Sequence, residues 1–149
     1  MNKKSFLTAS TLALAISTAT TAVYSAELEE IIVTAQKRAE SLQDVPISMS
    51  ALSGSTIKDN GIHSFQDLSG YVPNLEIAEN AVNTIITMRG IGIGSNQSSE
   101  QSVGIYVDGV HFGKSRQVRS GLFDVEQVEV LRGPQGILFG KNTLAGAIN

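Results

Sequence analysis

Cysteine is absent from the 149 residues, and so is tryptophan. The first absence excludes disulfide staples and thiolate metal centres, a composition compatible with an oxidising compartment but not diagnostic of one. The second, with aromatics at only 5%, argues against a membrane β-barrel as the body of the chain. Such barrels carry aromatic girdles and many strands of alternating polarity, and neither pattern occurs here. Positive charge is not in excess: 11 Lys and Arg stand against 14 Asp and Glu, a net charge of −3. No electrostatic footprint for nucleic acid results. His63 and His111, the two histidines, lie far apart with no carboxylates clustered at ligand spacing, so no metal site is expected. A Gly-x-Ser-x-Gly elbow is also missing, and nothing else resembles a catalytic constellation.

Two glycine-rich stretches fail the tests for cofactor loops. Gly136 and Gly140-Lys141-Asn142 enclose three residues where a phosphate loop needs four, and Asn142 stands where Ser or Thr would hold magnesium. Gly90, Gly92 and Gly94 miss the dinucleotide spacing. No cofactor and no enzymatic activity are therefore expected.

What is present begins with a leader. Lys3 and Lys4 precede an uncharged run over residues 5–26, SFLTASTLALAISTATTAVYSA, the pattern of a secretory signal peptide. A transmembrane anchor is the competing reading, but Ser and Thr interrupt the apolar run and no basic stop-transfer flank follows. Val23 and Ser25 favour cleavage after Ser25, making residues 1–25 the leader and leaving 9 basic against 14 acidic side chains.

Residues 29–35, EEIIVTA, place three β-branched apolar residues, Ile31, Ile32 and Val33, between acidic and small ones. This is either a free peptide that adds as a strand to a partner's sheet edge or the first strand of the domain. Residues 36–43 are polar and read as a linker or a weak helical turn. From Asp44, the alternation in VPISMSAL predicts a half-buried strand whose start is demoted by Pro46. Ser53-Gly54-Ser55 opens a short helix ending near Asn60-Gly61, and Ser64 with Asp67 announces a second, with Phe65 and Leu68 facing the core. Strands follow over residues 75–78 and 83–89, the second with Ile86 and Met88 on one face. A polar loop spans residues 95–102, and VGIYVDGV (103–110) is a strand entering an Asp108-Gly109 turn. A second polar loop over residues 111–119 carries Lys114, Arg116 and Arg119. In the closing segment Val128 and Val130 alternate with Glu129 at strand spacing, Gly133-Pro134 breaks the strand, and another begins near Ala145. Strands mixed with short helices in one modest core predict a small α+β domain with a mixed β-sheet.

The motifs EEIIVTAQKR, DVPISMSALSG, SFQDLSGYVPNL, ITMRGIG, VGIYVDGV and VEVLRGPQG occur in the order in which they occur in the plug domains of TonB-dependent outer-membrane receptors. The sequence resembles that family from about Glu29 to Asn149. The resemblance implies a plug domain over residues 44–149, preceded over residues 26–43 by a TonB box and linker. It further implies that a β-barrel of about 22 strands encloses the plug and that this barrel is missing from a truncated chain. The box would comprise Glu29, Glu30, Ile31, Ile32, Val33, Thr34 and Ala35, gripped from the periplasm by TonB.

By the same resemblance, Arg89 and Arg132, each followed directly by Gly, would meet barrel-wall carboxylates and hold plug to barrel. Their bland reading is a solvated arginine at a strand end. The two polar loops would sit at the outer tip, where Ser95, Asn96, Gln97, His111, Phe112, Lys114 and Arg116 are candidates for contact with an anionic ligand. They read equally well as ordinary surface loops. The implied function is energy-coupled uptake at the outer membrane, with a ferric siderophore as substrate and vitamin B12, saccharides and other nutrients as alternatives. A stand-alone periplasmic module that binds TonB or a ligand without transporting is the rival expectation.

Overall fold

The computed structural model describes residues 30–81, 83–94, 100–119 and 121–149. Its centre is a five-stranded sheet in the order β3 (Met49–Ser53), β9 (Gln127–Arg132), β10 (Gly146–Ile148), β7 (Val103–Val107), β8 (Val110–His111). β10 runs parallel to β7, and the other neighbours are antiparallel. A second sheet joins β4 (Leu75–Glu79), β5 (Thr84–Met88) and β6 (Ile91–Gly92), and a two-stranded ribbon joins β1 (Ile32–Val33) to β2 (Glu40–Ser41). Two short helices, α1 (Gly54–Asp59) and α2 (Gly136–Phe139), and two 3-10 turns, Asp67–Gly70 and Ser115–Arg119, complete the described elements. The α+β expectation is met.

Both faces of the central sheet are covered, and this governs everything around it. On one face Val128 and Val130 of β9, Val103 and Ile105 of β7 and Ile148 of β10 pack against Leu75, Ile77, Ile86 and Met88 of the second sheet. Ile57, Ile62, Phe65, Leu68 and Val118 close the same core from the helices and loops. On the other face Tyr106, Leu131 and Ala147, from alternate positions of the same strands, meet Phe139 of α2 and Ala35 of the N-terminal segment. Alternation along each strand therefore sorts residues into two cores instead of a core and a solvent face.

Local chemistry sets the element ends. Ser53 caps α1 by accepting from the Thr56 amide, and Asn60 ends the helix with its side-chain amide on the Thr56 carbonyl. Ser64 and Asp67 form a reciprocal pair: the Ser64 amide donates to the Asp67 carboxylate at 2.9 Å, and the Asp67 amide donates to Ser64 Oγ at 3.3 Å. β3 starts at Met49, later than alternation alone suggests, because its partner β9 ends at Arg132 and the chain turns away at Gly133, whose φ is 103°. At Gly146 a β-carbon would stand 2.3 Å from both the Leu131 carbonyl oxygen and the Met88 sulfur, so only glycine lets β10 sit between the two layers.

Candidate functional site

The N-terminal segment is folded back on the sheet. The Leu42 amide donates to the Ile31 carbonyl, and Ile32 and Val33 register with Ser41 and Glu40 in an antiparallel ribbon. Residues 36–43 thus carry turns and the strand β2 in place of a helical turn. Because Ile31 faces Leu42 as a hydrogen-bonded pair, Val33 and Glu40 form the next such pair, and the backbone groups of Ile32 and Thr34 point to the opposite edge. Val33 and Ala35 are buried, while Ile32 stays half exposed. Glu30 is exposed, and Glu29 lies outside the described residues.

What meets the outer edge of this ribbon is Glu129. Its side chain is only 1% exposed. Oε1 accepts from the Thr34 amide, from Thr34 Oγ1 at 3.3 Å and from Gln127 Nε2, and Oε2 accepts from Asn149 Nδ2 at 3.1 Å. Among the described residues no cation pairs with it, the ion pairs being Arg38 with Glu40 and Lys141 with Glu100. A buried carboxylate without a counter-charge persists only when donors saturate it, and here two come from Thr34. Further along, Lys37 Nζ stands 5.0 Å from the centre of the Phe139 ring.

Tyr106 joins this docking surface to the β7–β8 hairpin. Its hydroxyl donates to the Phe139 carbonyl, and its ring packs on Phe139 at 4.9 Å and on His111 at 5.1 Å between centroids. Burial raises the Tyr106 phenol above its usual pKa. His111 Nε2 is buried without a hydrogen-bond partner among the described residues. Phe112 packs on the main core, Lys114 and Arg116 are exposed on and beside the 3-10 turn, and Val118 of that turn is buried. Arg119 reaches across to the Asn80 carbonyl and, at 3.5 Å, to Thr84 Oγ1, tying the loop to β5. Ser95, Asn96 and Gln97 lie outside the described residues.

Arg89 lies near the residue that follows Arg132. Arg132, half-buried at the end of β9, donates from Nε to Ser48 Oγ (3.2 Å) and from Nη2 to the Met49 carbonyl (3.0 Å). Arg89, exposed after β5, holds its guanidinium over Gly133, the residue after Arg132, with Nη1 3.6 Å from where a β-carbon there would lie. No carboxylate pairs with either among the described residues. No group of three or more His, Cys, Asp or Glu side chains among the described residues is placed to hold a metal ion. Sequence reasoning missed Glu129, Tyr106 and Asn149 as members of the docking surface. A glutamate flanked by valines within a strand was the available signal.

The family model described as TonB-dependent Receptor Plug Domain matches residues 41–147. The pesticin receptor of Yersinia pestis is 33% identical over 122 residues, covering 80% of this chain and 18% of the relative. The iron-regulated outer membrane virulence protein of Vibrio cholerae is 30% identical over 134 residues, covering 81% of this chain and 19% of the relative. The crystal structure of the ferric yersiniabactin uptake receptor FyuA from Yersinia pestis superposes with a TM-score of 0.62 at 36% identity, covering 69% of this chain and 16% of that one. The chain thus spans about a fifth of the length of these relatives. With the family model matched along most of its length and the two-layer sheet shared with a solved receptor, the chain belongs to the plug-domain family of TonB-dependent outer-membrane receptors.

Proposed function

We propose that this chain is the plug of a receptor for energy-coupled uptake, exported by its leader (residues 1–25) and held inside a β-barrel in the outer membrane. Residues 29–35 are its TonB box. TonB adds a strand to that segment from the periplasmic side and pulls, and the plug rearranges to open a path for a ferric siderophore. The observation that carries this reading is the ribbon edge at Ile32 and Thr34: its backbone groups face away from β2, so one side of a short β-branched strand is available for pairing once it is undocked. Arg89 and Arg132, neither of them paired with a carboxylate among the described residues, support a barrel that supplies one. The ferric yersiniabactin uptake receptor of Yersinia pestis supports a ferric cargo, and the Vibrio cholerae relative is named as iron-regulated. His111, Phe112, Lys114 and Arg116, with Ser95, Asn96 and Gln97, are the proposed ligand-facing residues, their basic members suiting an anionic chelate.

The test is binding of the purified periplasmic domain of TonB to the whole chain carrying Ile32→Pro or Ile32→Ala. Proline removes a donor on the edge that must pair and is expected to abolish binding, whereas alanine keeps the donor and lowers affinity by less than about tenfold. Equal binding by the two variants would overturn strand addition at this edge.

A further inference from the structure

We propose that Glu129 is the retaining group for the N-terminal strand: its buried carboxylate occupies the edge a partner strand would use, so that the segment is docked and protected until this contact is broken. The proposal rests on the box reading above for its partner, but the docking itself stands on geometry. Thr34 presents its amide on the edge facing away from β2, and that amide is held by Glu129 Oε1, 95 residues away in sequence. The Thr34 carbonyl is also engaged, accepting from the Lys37 amide at 2.8 Å. A strand arriving at this edge meets an amide already bonded and a carboxylate in its path, which is how native edges are kept from pairing.

The dependence runs both ways. Glu129 is buried on the face opposite Val128 and Val130, and its backbone is fixed by reciprocal bonds with Asn149, each 2.8 Å. If Thr34 leaves, Oε1 keeps only Gln127. An under-satisfied buried carboxylate is costly, so Glu129 favours the docked state as strongly as the segment needs Glu129. Ala35 in the Tyr106, Leu131, Phe139 and Ala147 cluster and Lys37 over Phe139 continue the docking past the strand. Glu129 is thus a positioning residue for partner access.

Amide hydrogen exchange of the whole chain tests this without any partner. Glu129→Ala is expected to speed exchange of residues 31–37 by about ten- to a hundredfold, as befits loss of a hydrogen bond to a charged acceptor. The amides of β7 and of β9 away from the mutated site should stay protected. Thr34→Pro removes the donor itself and leaves the core side chains untouched, and it is expected to speed residues 31–33 and 35–37 similarly. Unchanged exchange over residues 31–37 in both variants would overturn the proposal. So would a Glu129→Ala chain that exchanges faster everywhere while Thr34→Pro exchanges as wild type, since Glu129 would then be a core residue only. The same Glu129→Ala chain should bind the TonB periplasmic domain about tenfold or more tightly than wild type. Faster exchange in both variants with no TonB binding by any of them leaves the retaining contact standing and removes TonB as the partner.

Discussion

At Asp67 a carboxylate that is almost fully exposed still organises a turn. It accepts from the His63 amide at 3.0 Å and the Ser64 amide at 2.9 Å, and these bonds, the His63 one foremost, hold its pKa below the usual carboxylate range. A carboxylate whose folded-state pKa is lowered contributes stability above its unfolded value, near 4, and that contribution is lost as pH falls through the folded-state pKa. Asp67→Asn is therefore expected to destabilise the domain at pH 7 by no more than about 1 kcal/mol, because the bonds are solvated. Urea denaturation at pH 7 and at pH 2.5 measures it: the gap between wild type and variant should shrink in acid, and a gap that widens there would contradict the assignment. The Ser64-x-x-Asp67 pair was legible in the sequence because a capping box is local. Glu129 was not. Alternation with Val128 and Val130 points it away from the main core, and residue spacing cannot reveal that Ala35, Thr34 and Phe139 cover that second face.

The β7–β8 hairpin shows the same division at the level of elements. Asp108 and Gly109 have φ of 50° and 78°, the paired left-handed values that a two-residue hairpin turn matching strand twist requires. A β-carbon on Gly109 would touch nothing within 4 Å, so the demand for glycine is conformational and independent of packing. Gly109→Val should cost about 1–2 kcal/mol through backbone strain alone, read as a lower urea midpoint with an unchanged slope. A midpoint within error of wild type would mean that the turn relaxes freely. The Asp-Gly signal, the Ser53 cap and the β5 alternation were readable because each is encoded within a few residues. β2 was not readable: Glu40 and Ser41 carry no strand propensity, and they pair with a β1 that is held down by the burial of Val33 and by Ala35 in the second core.

The outer surface of the molecule carries exposed apolar side chains and two arginines that have no carboxylate partner among the described residues. Phe123, Ile137, Leu144 and Val110 are largely exposed. Arg132 serves the fold as well as the surface, through its bonds to Ser48 and Met49, so removing it would confuse the two roles. Arg89 separates them. Among the described residues its side chain has neither an ion pair nor a hydrogen bond, and its Nη1 lies beside Gly133. Arg89→Ala in the isolated chain should then shift stability by less than about 0.5 kcal/mol. In a full-length receptor carrying this plug, the same change should loosen the seat if a barrel carboxylate meets both guanidiniums, because that carboxylate loses one partner of a bidentate, desolvated contact. The measurement is conductance of receptor-containing bilayers and uptake of the iron chelate, compared with thermal unfolding of the isolated chain. A raised leak with unchanged unfolding assigns Arg89 to the plug–barrel contact. Equal leak in wild type and variant would return it to an ordinary solvated strand end and leave Arg132 acting within the plug alone.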